Sequence, residues 1–317
     1  MIKQETQISL TVLIPSFNPV LPLINAVIDS LKSQTLQVER WELIVIDNNS
    51  SNSTIGQIDL SWHPNHRVLK EQRQGLTFAR LCGFQHARGD IIVMVDDDNV
   101  LVPGYLEYVV NYFQINPLAG TIGGKIFGRF DGFEPPQWTI QFWNMLAIRD
   151  FGDETLLSAC GMNNGYPSFA PVGAGMAIRK RLLDPYILQL ASGKPGTTDR
   201  VGDSLSSGGD NEINIHILRQ GYCVAYVPDL KIQHIIPEQR ITRAYLSRLN
   251  YESSRSWAEL LLRYDLSPWP PISKWSVGAR KLKSWVSHRA WLSTENFIRW
   301  RGACGLFEGL ANGSDPC

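Results

Sequence analysis

Gly89-Asp90-Ile91-Ile92-Val93-Met94-Val95-Asp96-Asp97-Asp98-Asn99 is the stretch that decides the fold of this chain. Its apolar run, 91–95, lies between a Gly-Asp turn and polar Asn99, the pattern of a strand buried on both faces of a parallel sheet. Open α/β sheets bind ligands at the carboxyl ends of such strands. Consecutive carboxylates there repel one another, so a divalent cation or a hydrogen-bond network has to compensate. Oxygen ligands favour Mg²⁺ or Mn²⁺, ions that commonly carry substrate phosphates. The plainer alternative is a solvated acidic turn that caps the next helix.

Outward from this strand, apolar runs at 8–15, 41–46 and 66–70 alternate with helical spacing at about 21–33, 75–87 and 103–113. Repeated β–α units predict an α/β fold, a mostly parallel central sheet with helices on both faces. The second half changes character. Strands are expected at 123–130, 172–178 and 222–227, with a strand-like run at 230–233, and loops at 134–138 and 162–171. The Gly/Ser/Thr-rich stretch 192–209 reads as a mobile loop, 210–219 as a helix and 241–264 as one long helix. The expected division is a domain over 1–240, with a donor half (1–118) and an acceptor half (119–240), and a helical C-terminal extension over 241–317.

The chain has 317 residues, is 44% apolar and balances 30 basic against 30 acidic side chains, so no global field draws it to nucleic acid. Cys82, Cys160, Cys223, Cys304 and Cys317 are scattered, odd in number and without metal-type spacing, which suits reduced thiols in a cytoplasmic protein. Residues 1–7 carry no signal pattern, and no apolar stretch is long enough to span a bilayer.

Several short motifs carry chemistry. Pro15-Ser16-Phe17-Asn18 leaves the first strand at the crevice edge, either as a nucleoside-contacting loop or as an ordinary turn. Asp47 ends the second strand and could accept hydrogen bonds from a ribose, or close an Asx turn with the Asn/Ser run that follows. No G-x-G-x-x-G follows the first strand and no phosphate-cradling loop with Gly-Lys-Ser/Thr occurs, so a phosphate ligand has to be held by metal. Gly75 is a turn glycine before a helix whose Arg80 would reach a phosphate or a triplet carboxylate, or else lie on the surface. Asp210, after Gly208-Gly209, suits a general base, although its spacing by itself favours a helix N-cap with Glu212 in the first turn. His234 is either a structural histidine or a nitrogen ligand to a carboxylate-held ion.

Together these pieces resemble the family-two glycosyltransferases with the A-type fold (Rossmann-like), particularly bacterial enzymes of surface-polysaccharide assembly. The resemblance runs in family order through residues 12–18, 42–50, 74–80, 89–99, 173–178 and 209–212 with His234, roughly three quarters of the chain. It implies a nucleotide-diphosphate sugar donor, UDP being the family's commonest carrier, with Pro15, Ser16, Asn18 and Asp47 around base and ribose. It implies Mn²⁺ or Mg²⁺ on Asp98, with Asp96 on ribose or a metal-bound water and His234 as third ligand. It implies inverting transfer with Asp210 as base. The family often has Glu before that base; this chain has Gly209.

Beyond Pro271, basic residues interleave with Trp275, Trp285, Trp291 and Trp300. That composition suits either a segment on an anionic membrane surface, the inner face of the cell membrane with a lipid-linked acceptor, or a helical lid packed on the protein. Two other functions share parts of the pattern. A sugar-nucleotide nucleotidyltransferase would carry a glycine-rich basic loop after the first strand, and 15–18 is not one. A non-catalytic nucleotide-sugar-binding subunit would not need the acids.

Overall fold

The computed structural model describes residues 8–162, 165–192, 199–200 and 204–312. They fall into two compact units: Met1–Arg129 with Ala147–Gly196 and Ile213–Ile235, and Phe130–Leu146 with Thr197–Glu212 and Ile236–Cys317.

In the first unit, β1 (Leu10–Ser16), α1 (Leu21–Lys32), β2 (Trp41–Asp47), β3 (His66–Lys70), α2 (Leu76–His86) and β4 (Ile91–Met94) alternate as the hydrophobic pattern predicts. β5 (Asn99–Leu101), α3 (Tyr105–Ile115), β6 (Ala119–Arg129), β7 (Leu156–Leu157), β8 (Ala177–Arg179), α4 (Asp184–Ala191), most of α5 (Gly209–Arg219) and β9 (Cys223–Ile235) follow. The strand order is β3-β2-β1-β4-β8-β6-β9-β5, with β7 also on β9, and β3 forms one edge. Side chains that alternate along the strands build two cores. Leu10, Val12, Ile14, Leu43 and Val45 pack with α1 and α3, whereas Leu13, Ile44, Ile46 and Met94 pack with α2, α4 and α5. Helices therefore cover both faces, as expected.

The sheet is mixed where a mostly parallel one was expected. β1 pairs in parallel with β2 and β4, β2 with β3, and β6 with β9. β8, inserted between β4 and β6, is antiparallel to both, and β5 and β7 are antiparallel to β9. Hydrophobic runs reveal burial and not direction, so the reversal was not legible. The strand expected over 172–178 shrinks to Ala177–Arg179. Gly175 adopts φ +73°, where a Cβ would meet Ile232 Cδ1 at 2.0 Å, and its carbonyl accepts the Tyr105 hydroxyl, so the chain bends there. The runs at 222–227 and 230–233 fuse into β9.

Cys160 and Cys223 form a disulfide, against the expectation of reduced thiols. The segment after β7 runs beside the start of β9, with Ser158 N bonded to Val224 O and Gly161 N to Tyr222 O, so the two Cα atoms come within 4.4 Å. At the other end of the parallel strands Glu42 is buried and accepts from Thr11 Oγ1, Arg67 and Arg88. Burial alone would raise its pKa, but the Arg88 amide, the Thr11 hydroxyl and the two guanidinium groups hold it below the usual carboxylate value.

The second unit is helical. α6 (Arg243–Arg263), α7 (Val277–Ser287) and α8 (Thr294–Asn312) join a 3₁₀ segment, Gln137–Leu146. Gly302, Gly305 and Gly309 line the face of α8 on α6. A Cβ at Gly305 would lie 2.0 Å from Tyr251 O, and one at Gly309 would lie 2.5 Å from Arg255 O. Small residues let these backbones approach closely. Of the loop expected over 192–209, residues 193–198 and 201–203 lie outside the described residues.

Candidate active site

Strand register builds the candidate site. Ser16 lies opposite Asp47, and Asp47 opposite Lys70, so the carboxyl ends of β1, β2 and β3 form one rim. Val95 N bonds Leu13 O, which carries β4 to the same rim and delivers Asp96, Asp97 and Asp98 there. Asn99 N bonds Asp96 O and closes a tight turn through the triplet. Ser16 is buried and donates its hydroxyl to Asp97 Oδ2 at 2.5 Å, so one of the three carboxylates is held by β1. Pro15 is buried inside β1.

Asn18, at φ +50°, uses its side-chain oxygen to accept from Ser51 N and Asn52 N at 2.7 and 3.1 Å, tying the loop after β1 to the loop after β2. Asp47 accepts Ser50 N, the Asx turn that its sequence allowed. The residue that sequence reasoning missed here is Asn48. Buried, it donates to Glu71 O and Arg73 O and accepts Gly75 N, so one amide joins β2 to the start of α2. An Asn in an Asn/Ser run looks like any loop residue, and no sequence signal singled it out. Arg80, on α2, is 7% exposed and so is not a surface arginine.

Asp98 and His234 come together at the rim. Asn99 and His234 are register partners between β5 and β9, and Ile235 N bonds Asp98 O. The His234 Nε2 to Asp98 Oδ2 distance is 3.4 Å, and both residues are less than a tenth exposed. Asp98 Oδ1 accepts Asn99 Nδ2 at 2.9 Å. A carboxylate and an imidazole at a strand rim fit a divalent ion of the Mn²⁺ or Mg²⁺ type. No group of three or more His, Cys, Asp or Glu side chains converges among the described residues, so further ligands would come from donor phosphates and water.

Asp210 opens α5 and is half-buried; its own Oδ1 accepts Asn211 N at 2.9 Å. Glu212, two residues on, is 0% exposed, and its carboxylate accepts the Tyr264 hydroxyl at 2.7 Å with Arg263 at 3.5 Å. Of the two acids Glu212 is the fully buried one and Asp210 the half-buried one. Asp199, also missed in the sequence, is buried and accepts both Gly208 N and Gly209 N, at 3.0 and 2.8 Å. A Cβ at Gly209 would lie 2.2 Å from Asp199 Oδ2. The carboxylate thus occupies the space that a Glu side chain at 209 would need, a physical reason for Gly209. Ser206 Oγ to Ser256 Oγ, at 2.8 Å, ties the same segment to α6.

The family model described as Glycosyl transferase family 2 matches residues 11–183, more than half of the chain. A glucosyl-dolichyl phosphate glucuronosyltransferase of Haloferax volcanii is 25% identical over 227 residues, 67% of this chain and 64% of that protein. An N-acetylglucosaminyltransferase of Rhizobium meliloti is 22% identical over 237 residues, 72% of this chain and 51% of that protein. The chain thus spans about half to just under two thirds of the length of these curated relatives. Among solved structures, a mannosyltransferase from Pyrobaculum calidifontis in complex with GDP-Man and Mn²⁺ superposes with TM-score 0.60 at 15% identity, over 94% of this chain and 87% of that one. S. aureus TarS 1-349 in complex with UDP gives TM-score 0.51 at 14% identity, over 96% and 90%. At such identities the likeness establishes the A-type fold alone. The family match, over residues 11–183 and so over the acidic triplet, carries the further conclusion: this chain belongs to glycosyl transferase family 2.

Proposed function

We propose that this chain moves a sugar from a nucleotide-diphosphate sugar to a glycan or lipid-linked acceptor, with inversion, in the assembly of a bacterial cell-envelope polysaccharide. The observation that carries the reading is the Asp98–His234 pair, on the rim that also holds Asp47 and the Ser16–Asp97 bond. Asp98 and His234 are assigned to Mn²⁺ or Mg²⁺, with Asp96 beside them. Asp47, Gly75 and Arg80, with the backbone near Pro15, Ser16 and Asn18, are assigned to the donor nucleotide. The ion, when bound, would neutralise charge on the donor's diphosphate.

In the proposed step the acceptor oxygen forms a bond to the anomeric carbon as the bond from that carbon to the diphosphate oxygen breaks. Asp210 accepts the proton that the acceptor hydroxyl loses. Its Oδ1 accepts the Asn211 N–H, which orients the carboxylate at the start of α5. Uridine is the proposed base. The solved neighbours contain GDP-Man in one case and UDP in another, so both are tested.

Thermal shift of the full chain with UDP- and GDP-sugars, with and without Mn²⁺, tests donor and ion together. A metal-dependent rise with one nucleotide supports the reading; no rise with any nucleotide sugar defeats it. Asp210→Asn should keep that shift and lose sugar transfer, and near-normal turnover in this variant would remove Asp210 from the role.

A further inference from the structure

The tryptophans of the C-terminal helices have separate duties. Trp285 and Trp300 face inward, their rings edge-on with centroids 4.6 Å apart, and Trp300 Nε1 donates to Lys281 O at 3.1 Å. Lys281 also turns inward, to Glu308. These contacts hold α7 to α8, and they account for one face of α7.

The opposite face has no such account. Trp275, in the 3₁₀ turn that leads into α7, and Ala279, Leu282 and Val286 on α7 are spaced by four, three and four residues, and all four are exposed. Trp275 is 97% exposed and Leu282 68%. Exposed Trp291 and Leu292, in the turn after α7, add further apolar surface. Single exposed apolar residues are ordinary; a helical stripe of them marks an interaction surface.

Charge identifies what covers it. From residue 272 to 294 the chain has no Asp or Glu but carries Lys274, Arg280, Lys281, Lys283 and Arg289, in a protein whose total charge is balanced. Lys274, Arg280, Lys283 and Arg289 are exposed. A second copy of the stripe would bring like charges together, which costs affinity. A surface with anionic headgroups above an apolar interior satisfies both cations and stripe, and tryptophan favours that boundary. No helix among the described residues is long and apolar enough to cross a membrane, so the contact would lie along the surface.

We propose that the outward face of α7, with Trp275 just before it and Trp291 and Leu292 just after it, docks the protein on an anionic lipid surface. The inference stands apart from the proposed transfer reaction, because lipid binding is read without donor or acceptor.

The test is flotation of the full chain with vesicles of phosphatidylglycerol and phosphatidylcholine, against phosphatidylcholine alone. The wild type should float with the anionic vesicles and stay in solution with the neutral ones. Combined Trp275→Ser, Leu282→Ser and Val286→Ser should abolish flotation with an unchanged melting temperature, since these side chains point to solvent. Arg280→Gln with Lys283→Gln should weaken partition roughly 25-fold, about fivefold for each cation removed. Absence of flotation, equal flotation on neutral lipid, or flotation of the apolar triple variant like the wild type would each overturn the proposal. So would a dimer in sedimentation that the triple variant dissolves without any lipid binding, which would assign the stripe to a second copy.

Discussion

Tyr264, at the end of α6, donates its hydroxyl to Oε1 of Glu212 at 2.7 Å, and both residues are buried. Glu212 lies one half-turn past Asp210 in α5, so this bond fixes the turn that carries the candidate base. Tyr264→Phe removes one donor from a buried carboxylate, a loss of about 1–3 kcal/mol. The expected result is a lower urea midpoint together with a fall in kcat of roughly tenfold at nearly unchanged donor KM. A variant with lower stability and full kcat would make the bond structural only.

Asp98→Asn should cost on the order of 10²-fold in transfer rate, comparable to loss of one preorganised electrostatic group. His234→Ala should cost less, because a diphosphate oxygen or water can replace a neutral imidazole more easily than a carboxylate. In both variants the Mn²⁺-dependent part of the nucleotide thermal shift should shrink. EDTA should abolish wild-type activity, and added Mn²⁺ should restore it.

His63 predicts a pH dependence of stability. It is 0% exposed, packed against Trp41 with ring centroids 4.1 Å apart, and its Nδ1 accepts Asn65 N at 3.1 Å. Burial, with a smaller contribution from neighbouring His66, lowers its pKa from 6.5 to about 4. The folded protein therefore keeps His63 neutral where the unfolded chain protonates it. Stability is full above about pH 6.5 and falls as pH drops toward 4, by roughly 3 kcal/mol. Urea midpoints at several pH values check this, and His63→Gln should flatten the slope over that window.

Gly305→Ala would force a Cβ onto Tyr251 O, a backbone atom that cannot swing aside. The expected loss is about 1–3 kcal/mol, read by urea denaturation. Gly278→Ala, in α7, meets nothing within 4 Å and should lie within about 1 kcal/mol of the wild type, on the stabilising side.

What was legible in the sequence was local. The 91–95 run, the β–α alternation before it and the acids at its end all follow from contiguous residues, and β3 has the predicted bounds. What was hidden depends on partners far along the chain. Glu212 and Tyr264 are 52 positions apart, and Cys160 and Cys223 are 63 apart. Asp199 looks like any polar loop residue until the chain turns it under the start of α5. The direction of β8 was equally hidden, since its Ala-Ile-Arg would suit either orientation.

Among the described residues β3 has a strand neighbour on one side, β2, and none on its other edge. Such edges invite accretion of foreign strands. This one is five residues long, with exposed His66 and Lys70 at its ends. Brevity and a terminal cation work against stacking of one molecule on another, so the sheet can end there without seeding aggregates.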